Sequence, residues 1–232
     1  MDLKKFILLN NINNINRKDS KENEIEKKLN IDLILFINLK KRKDRLEHIT
    51  NEINKMNIEN SKIVRIDAIF NKNGALGCSL SHIKAIEYFL YETNYDNCLI
   101  LEDDFTFSDK INNINEKINL IQKEIPDYDI CLFAYNNLEN YNNLKKLNFK
   151  RVKFAQTTSG YLIKRKFADK LLKNFNESSE LMKKEDRNYF NCLDIYWNKL
   201  TSKSKWYAFN NALGYQMESY SDIENKIVNY KC

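Results

Sequence analysis

Over residues 1–30 the chain is rich in Asn and Lys, and its apolar residues keep no sustained helical or alternating spacing, so this stretch reads as an N-terminal extension. The pattern changes at Ile31. "IDLILFINL" (Ile31–Leu39) is a continuous apolar run of strand length, and Leu46, Ile49, Ile53 and Met56 follow at helical spacing. "KIVRIDAI" repeats the strand signal. "NGALGCSLSHIKAIEYFLY" then reads as a glycine-containing loop leading to a helix from Ser81 to Tyr91, and "CLILED" is a third strand. Ile111, Ile114, Ile118 and Ile121 mark a helix, and "DICLFAY" a strand. "FAQTTSGYLI" gives two short strands or a bend around Gly160, and Phe167, Ala168, Leu171, Leu172 and Phe175 a further helix. Alternating strands and helices predict one α/β domain over residues 31–232, with a central, largely parallel sheet flanked by helices. Ligands of such sheets sit at the carboxyl ends of the strands.

Composition narrows the function. A chain of 232 residues with 43% hydrophobic and 30% charged residues is long enough and apolar enough for one globular core. The net charge of +6 is spread over the chain, with only "KKRKDR" (Lys40–Arg45) resembling a patch. That distribution argues against a nucleic-acid partner and suits small anionic substrates such as nucleotide diphosphates. Cys78, Cys98, Cys131, Cys192 and Cys232 are odd in number and lack CxxC spacing, which implies a reducing compartment. The apolar run "FILL" is too short for a signal or membrane span, so the expected location is cytoplasmic.

The chemistry concentrates where "CLILEDDF" runs four apolar residues into Glu102, Asp103 and Asp104. Adjacent carboxylates repel, and each loses solvation at the end of a buried strand, so a cation is expected beside them. Two readings stay open: the acids cap the following loop or helix, or they hold a divalent ion. Hard oxygen ligands suit Mn²⁺ or Mg²⁺. Zinc is disfavoured, because the chain has only His48 and His82 and no spaced Cys/His cluster. Glu102 and Asp104 face the same side if the strand pleat continues through them.

Taken in order, "LFINLKKRKDRLEHI", "RIDAI", "GALGCSLSHIKAIE", "LILEDDF", "GYLIKRKFADKLL" and "YSDIE" resemble glycosyltransferase family 25, over roughly residues 31–225. The family includes bacterial lipooligosaccharide galactosyltransferases and collagen hydroxylysine galactosyltransferases. The resemblance implies a glycosyltransferase A-type fold and a uridine diphosphate sugar donor. It also implies a DxD-like motif that holds Mn²⁺ against the diphosphate, with Glu102 and Asp104 as ligands and Asp103 beside the donor. It implies an inverting transfer of a hexose, galactose or glucose, to a hydroxyl of a glycan or protein. Glu102 stands where DxD has Asp.

The remaining candidates each have a plainer role to set beside the functional one. Asn38 at the first strand end falls at the nucleotide edge the resemblance implies, though Asn is also a turn former. Arg45 matches the family's motif arginine; Arg42 is its basic neighbour, and such residues are often simply solvated. Gly74 and Gly77 suggest a close backbone approach or a positive φ, with Gly77 and Ser81 placed at the donor. His82 lies on the apolar side of its helix with Ile86 and Phe89, as a structural histidine or a donor-site residue. Thr158, Gly160 and Tyr161 match a family block at the site, and Tyr161 also fits a half-buried strand aromatic. The proton acceptor is expected at Asp194, partly buried between Leu193 and Trp197, with Asp222 as the alternative or a helix cap. Asp222, with Ser221 and Gln216, is expected to close the donor site or complete the metal shell. Two other classes stay in view: an idle sugar- or nucleotide-binding domain of the same fold, and a metal-dependent phosphate hydrolase.

Overall fold

The computed structural model describes residues 29–56, 58–108, 113–141, 148–185, 188–221 and 226–228; of the side chains of residues 219–221 and 226–228 nothing is said. The strand expected at Ile31–Leu39 is β1 (Leu33–Asn38), followed by α1 (Lys43–Asn54) and β2 (Ile63–Asp67). Then come α2 (Gly74–Tyr91), β3 (Asn97–Glu102), β4 (Phe105–Phe107), α3 (Ile114–Glu124), β5 (Ile130–Leu132) and β6 (Asn136–Asn140). The chain continues through β7 (Phe149–Gln156), β8 (Gly160–Lys164), α4 (Arg165–Lys184), the short α5 (Leu193–Tyr196), β9 (Trp206–Phe209) and β10 (Gly214–Gln216), and then β11 (Ser219–Ser221) and β12 (Lys226–Val228).

Eight strands form one sheet in the order β2-β1-β3-β8-β5-β9-β7-β6. β1 pairs in parallel with β2 and β3, and β5 with β9, while β8 and β7 run against their neighbours. The sheet is therefore mixed, with most strands pointing one way. β1 is apolar at every position because both faces are covered: Leu33, Leu35 and Ile37 join the core cluster with Ile86, Phe89 and Phe175, and Ile34 and Phe36 the one with Ile49, Ile53 and Ile121. Leu29 is buried too, so the packed domain includes residues that the sequence pattern assigned to the extension. No helix among the described residues is long and apolar enough to cross a membrane.

Two local differences from the sequence reading matter for the site. First, α2 begins at Gly74 and not Ser81, because the Asn73 side chain caps it by accepting from the Leu76 N–H at 3.2 Å. The presumed glycine loop is thus the first turn of the helix. Gly77 has no positive φ; a Cβ there would sit 2.8 Å from the Ile69 carbonyl oxygen, so glycine lets α2 close on the segment after β2. Second, β3 stops at Glu102, and Asp103–Asp104 form a turn into β4, so the pleat does not carry Glu102 and Asp104 to a common face. β4 pairs with β10 in a separate two-stranded ribbon, where Gln216 stands opposite Phe105. The Phe105 ring lies within 2.7 Å of where a Gly160 Cβ would be and within 2.4 Å of one on Gly214. Two glycines thus make room for one aromatic ring that fixes the acidic turn. Gly160 has this packing role against Phe105.

Candidate active site

The acidic turn is charge-balanced from within. Arg45, on the first helix turns of α1, reaches both Asp103 Oδ1 and Asp104 Oδ2 at 2.9 Å. Asn38 Nδ2, at the end of β1, donates to Asp103 Oδ2 at 2.7 Å. The cation expected beside the triplet is therefore Arg45 in the first instance, and Asn38 and Arg45 touch the acids themselves. Arg42, by contrast, pairs with Asp44 at 2.8 Å, away from the triplet.

Glu102 leans the other way, toward α2 and the β7–β8 turn. Its Oε1 accepts from Thr158 Oγ1 at 2.7 Å and lies 3.2 Å from His82 Nε2, while His82 Nδ1 lies 3.0 Å from the Tyr161 hydroxyl. His82 and Tyr161 are fully buried, so both act beneath the site, holding Glu102 in place. Tyr161, read from the sequence as a site residue or a half-buried strand aromatic, is a core residue. Ser81 is likewise internal: it donates to the Gly77 carbonyl at 2.7 Å and accepts from the Ile69 N–H at 2.8 Å.

These environments separate the carboxylates electrostatically. Burial alone would raise Glu102, but His82, Thr158 and Arg45 outweigh it and hold its carboxyl below the usual value. Burial raises Asp103 despite Arg45. Burial and the neighbouring Glu102 push Asp104 up to about 7 against the pull of Arg45. Asp104 Oδ1 is buried without a hydrogen-bond partner, an acceptor that a cation would satisfy.

A cleft of about 390 Å³ opens beside Glu102, within the range of small-ligand sites. Glu102, Thr158, Gln216 and Asp194 all line it. Half-buried Asp194, in the first turn of α5, accepts from the Thr157 N–H at 3.1 Å. Burial raises its carboxyl above the ordinary 3.8, with that backbone bond opposing. Gln216 donates to Asp104 Oδ2 at 3.1 Å and accepts from Thr157 Oγ1 at 3.3 Å, so one turn links both acidic groups. Thr157 has φ 74, a left-handed conformation that a β-branched residue rarely adopts. Asp222 lies outside the described residues, and Ser221 is placed only as the last residue of β11.

Sequence reasoning missed Thr157, Gln156, Asn136, Tyr189 and both Cys78 and Cys192 as cleft residues. It also missed a cluster. Cys78 and His82 stand one turn apart on α2, and with Glu102 they bring ligand atoms within 4.8 Å of one another. The spacing Cys-x₃-His on an apolar helix was the available signal, and it qualifies the case against a softer ion.

Residues 72–186 match the model of glycosyltransferase family 25, described as an LPS biosynthesis protein. Over this span the chain is similar to family 25 glycosyltransferases. The matched span contains α2, the acidic turn and Thr158–Tyr161, and leaves Asn38, Arg45, Asp194 and Gln216 outside, so it is narrower than the resemblance read from the sequence. No curated protein matches the chain. Among solved structures, the chain is similar to A197 from STIV at 17% identity, covering 85% of this chain and 93% of that one, with a TM-score of 0.49. It is similar to a glycosyltransferase involved in glycosylation of the major capsid of PBCV-1 at 12% identity, covering 83% and 95%, TM-score 0.48. For the galactosyltransferase LgtC, in complex with donor and acceptor sugar analogs, the values are 14%, 75% and 72%, and 0.44. With this family 25 match on a mixed sheet flanked by helices, the protein is a glycosyltransferase.

Proposed function

We propose that the protein transfers a hexose, galactose or glucose, from a uridine diphosphate sugar to a hydroxyl of a glycan or protein, with inversion at the anomeric carbon. The observation that carries this is the cleft itself, which brings the acidic strand end and a separate, half-buried carboxylate to one space of sugar size. Asp194 accepts the proton of the acceptor hydroxyl as that oxygen attacks the anomeric carbon; the bond to the diphosphate breaks, and uridine diphosphate leaves with the electron pair. A carboxyl raised by burial holds that proton better than an exposed one, and the Thr157 N–H fixes one of its oxygens. Asn38, Arg45 and Gln216 hold Asp103 and Asp104, while His82 and Thr158 hold Glu102.

A hard divalent ion, Mn²⁺ or Mg²⁺, fits the buried, unpartnered Asp104 Oδ1, and Glu102, which leans toward α2 and the cleft, would have to turn to share it. Asp104 and Glu102 would hold it, and the ion would supply charge stabilisation to the departing diphosphate. The Arg45 ion pairs favour a second reading, in which the guanidinium balances the acids and transfer needs no metal.

Incubation with a panel of labelled nucleotide sugars, with Mn²⁺ or with chelator, tests both. Nucleotide release from a uridine diphosphate sugar that stops under chelation supports the first reading, and release that persists supports the second. Donor binding without release would mark an idle binding domain, and attack on simple phosphate esters alone a hydrolase.

A further inference from the structure

Most large apolar side chains among the described residues are buried, but Tyr189 and Phe190 are 56% and 72% exposed. They form an edge-to-face pair with ring centroids 5.8 Å apart. The turn that carries them, Tyr189–Asn191, is firmly anchored. Asn188 caps it by accepting from the Phe190 N–H at 3.0 Å, and the Asn191 carbonyl accepts from Ser178 Oγ of α4 at 2.7 Å. Glu185, at the end of α4, accepts from the side chains of both Asn188 and Asn191. Two aromatic rings are thus held out to solvent on fixed backbone, at an exposure that folding alone does not reward.

Their place says what would cover them. Tyr189 lines the cleft of Asp194 and Glu102, and the next residues along the turn, Cys192, Leu193 and Asp194, lead straight to the carboxylate assigned as base. Gln156 Nε2 donates to the Tyr189 hydroxyl, and the amides of Gln156 and Asn136 line the same wall. A pyranose ring has one face of polarised C–H bonds and a rim of hydroxyls. An aromatic face takes the first, and carboxamides, which both donate and accept, take the second. The Gln156 amide already bridges Asn137 and Tyr189, and it keeps a second N–H and a second lone pair for a sugar hydroxyl, which an apolar partner or a lipid chain would not use.

We propose that Tyr189, with Phe190 beside it and Gln156 and Asn136 at the rim, is a stacking platform for a sugar ring of the acceptor, so that the acceptor is a glycan and not a bare protein side chain. This rests on the transfer reading, because it orients the acceptor hydroxyl toward Asp194. Indole in place of phenol keeps the face, and alanine removes it.

The test uses the full chain and methyl glycosides of galactose, glucose and N-acetylglucosamine as acceptors. Tyr189→Ala is expected to raise the acceptor KM at least tenfold while the donor KM stays within twofold, and Tyr189→Trp is expected to restore the acceptor KM to within threefold of wild type. An acceptor KM within twofold of wild type in Tyr189→Ala, or equal rises in donor and acceptor KM, overturns the platform. If the unaltered protein releases nucleotide from no donor, the transfer reading fails by itself. Saturation-transfer NMR with the same glycosides then decides the platform: signals lost in Tyr189→Ala and kept in Tyr189→Trp support it, and equal signals, or none in any protein, overturn it.

Discussion

Two carboxylate environments share one cleft, and they are built on opposite plans. The Glu102–Asp104 turn is crowded with partners from four directions: Asn38 of β1, Arg45 of α1, His82 of α2 and Gln216 of β10. Asp194 has fewer partners, its carboxylate held by backbone N–H groups, chiefly that of a threonine in the left-handed region. Within the turn, His82, Thr158 and Arg45 hold Glu102 charged, which suits binding an ionic ligand, although burial raises its neighbours Asp103 and Asp104. Burial also raises the proton affinity of Asp194, which suits proton transfer. The difference separates holding from reacting before any ligand enters.

The strongest way to break the comparison is to remove the proposed base. Asp194→Asn is expected to lower kcat by roughly 10²–10⁴-fold, the usual range for loss of a general base, with donor affinity nearly intact. Asp104→Asn is expected to weaken donor binding and turnover together. Steady-state kinetics with donor calorimetry separates the two, and near-normal turnover in Asp194→Asn would move the base to Asp222.

A second substitution tests whether crowding is what makes the acidic turn stable. Arg45→Gln leaves two buried carboxylates without their cation, and breaking a buried pair in this way commonly costs about 3–5 kcal/mol. Urea denaturation would read the loss, and an unchanged midpoint would show that the acids are held without Arg45.

The last expected effect is a slope. Asp104 is raised from 3.8 to about 7, so between those values the folded protein keeps a proton that the unfolded chain releases. Stability from this group is therefore present at low pH and declines as pH rises through the window, by at most about 1.4 kcal/mol per pH unit. Denaturation midpoints measured in chelator from pH 4 to 7 should fall less steeply in Asp104→Asn than in wild type.

The sheet was legible in the sequence because β1 and β3 are covered on both faces and read as unbroken apolar runs. The ribbon of β4 and β10 was not, since three-residue strands carry no periodicity and their pairing spans more than a hundred residues. Within the site, the acidic triplet announced itself by its cost at a strand end, and Asp194 by its apolar neighbours. Arg45 was expected at the donor; its contact with Asp103 and Asp104 as an internal counterion depends on a helix direction that spacing does not encode. Thr157 was invisible for a different reason: nothing in "QTTSG" says which residue takes the left-handed turn.

The ribbon also orders events during synthesis. Glu102 and Asp104 leave the ribosome more than a hundred residues before Gln216, the side chain that links the acidic turn to Thr157 and Asp194. Until that last piece arrives, β4 has no partner strand and the acids keep one side open to water. The strands β1, β2, β3, β8 and β5 can thus pair before β9 and β10 emerge, whereas the link between the acidic turn and Asp194 waits for Gln216.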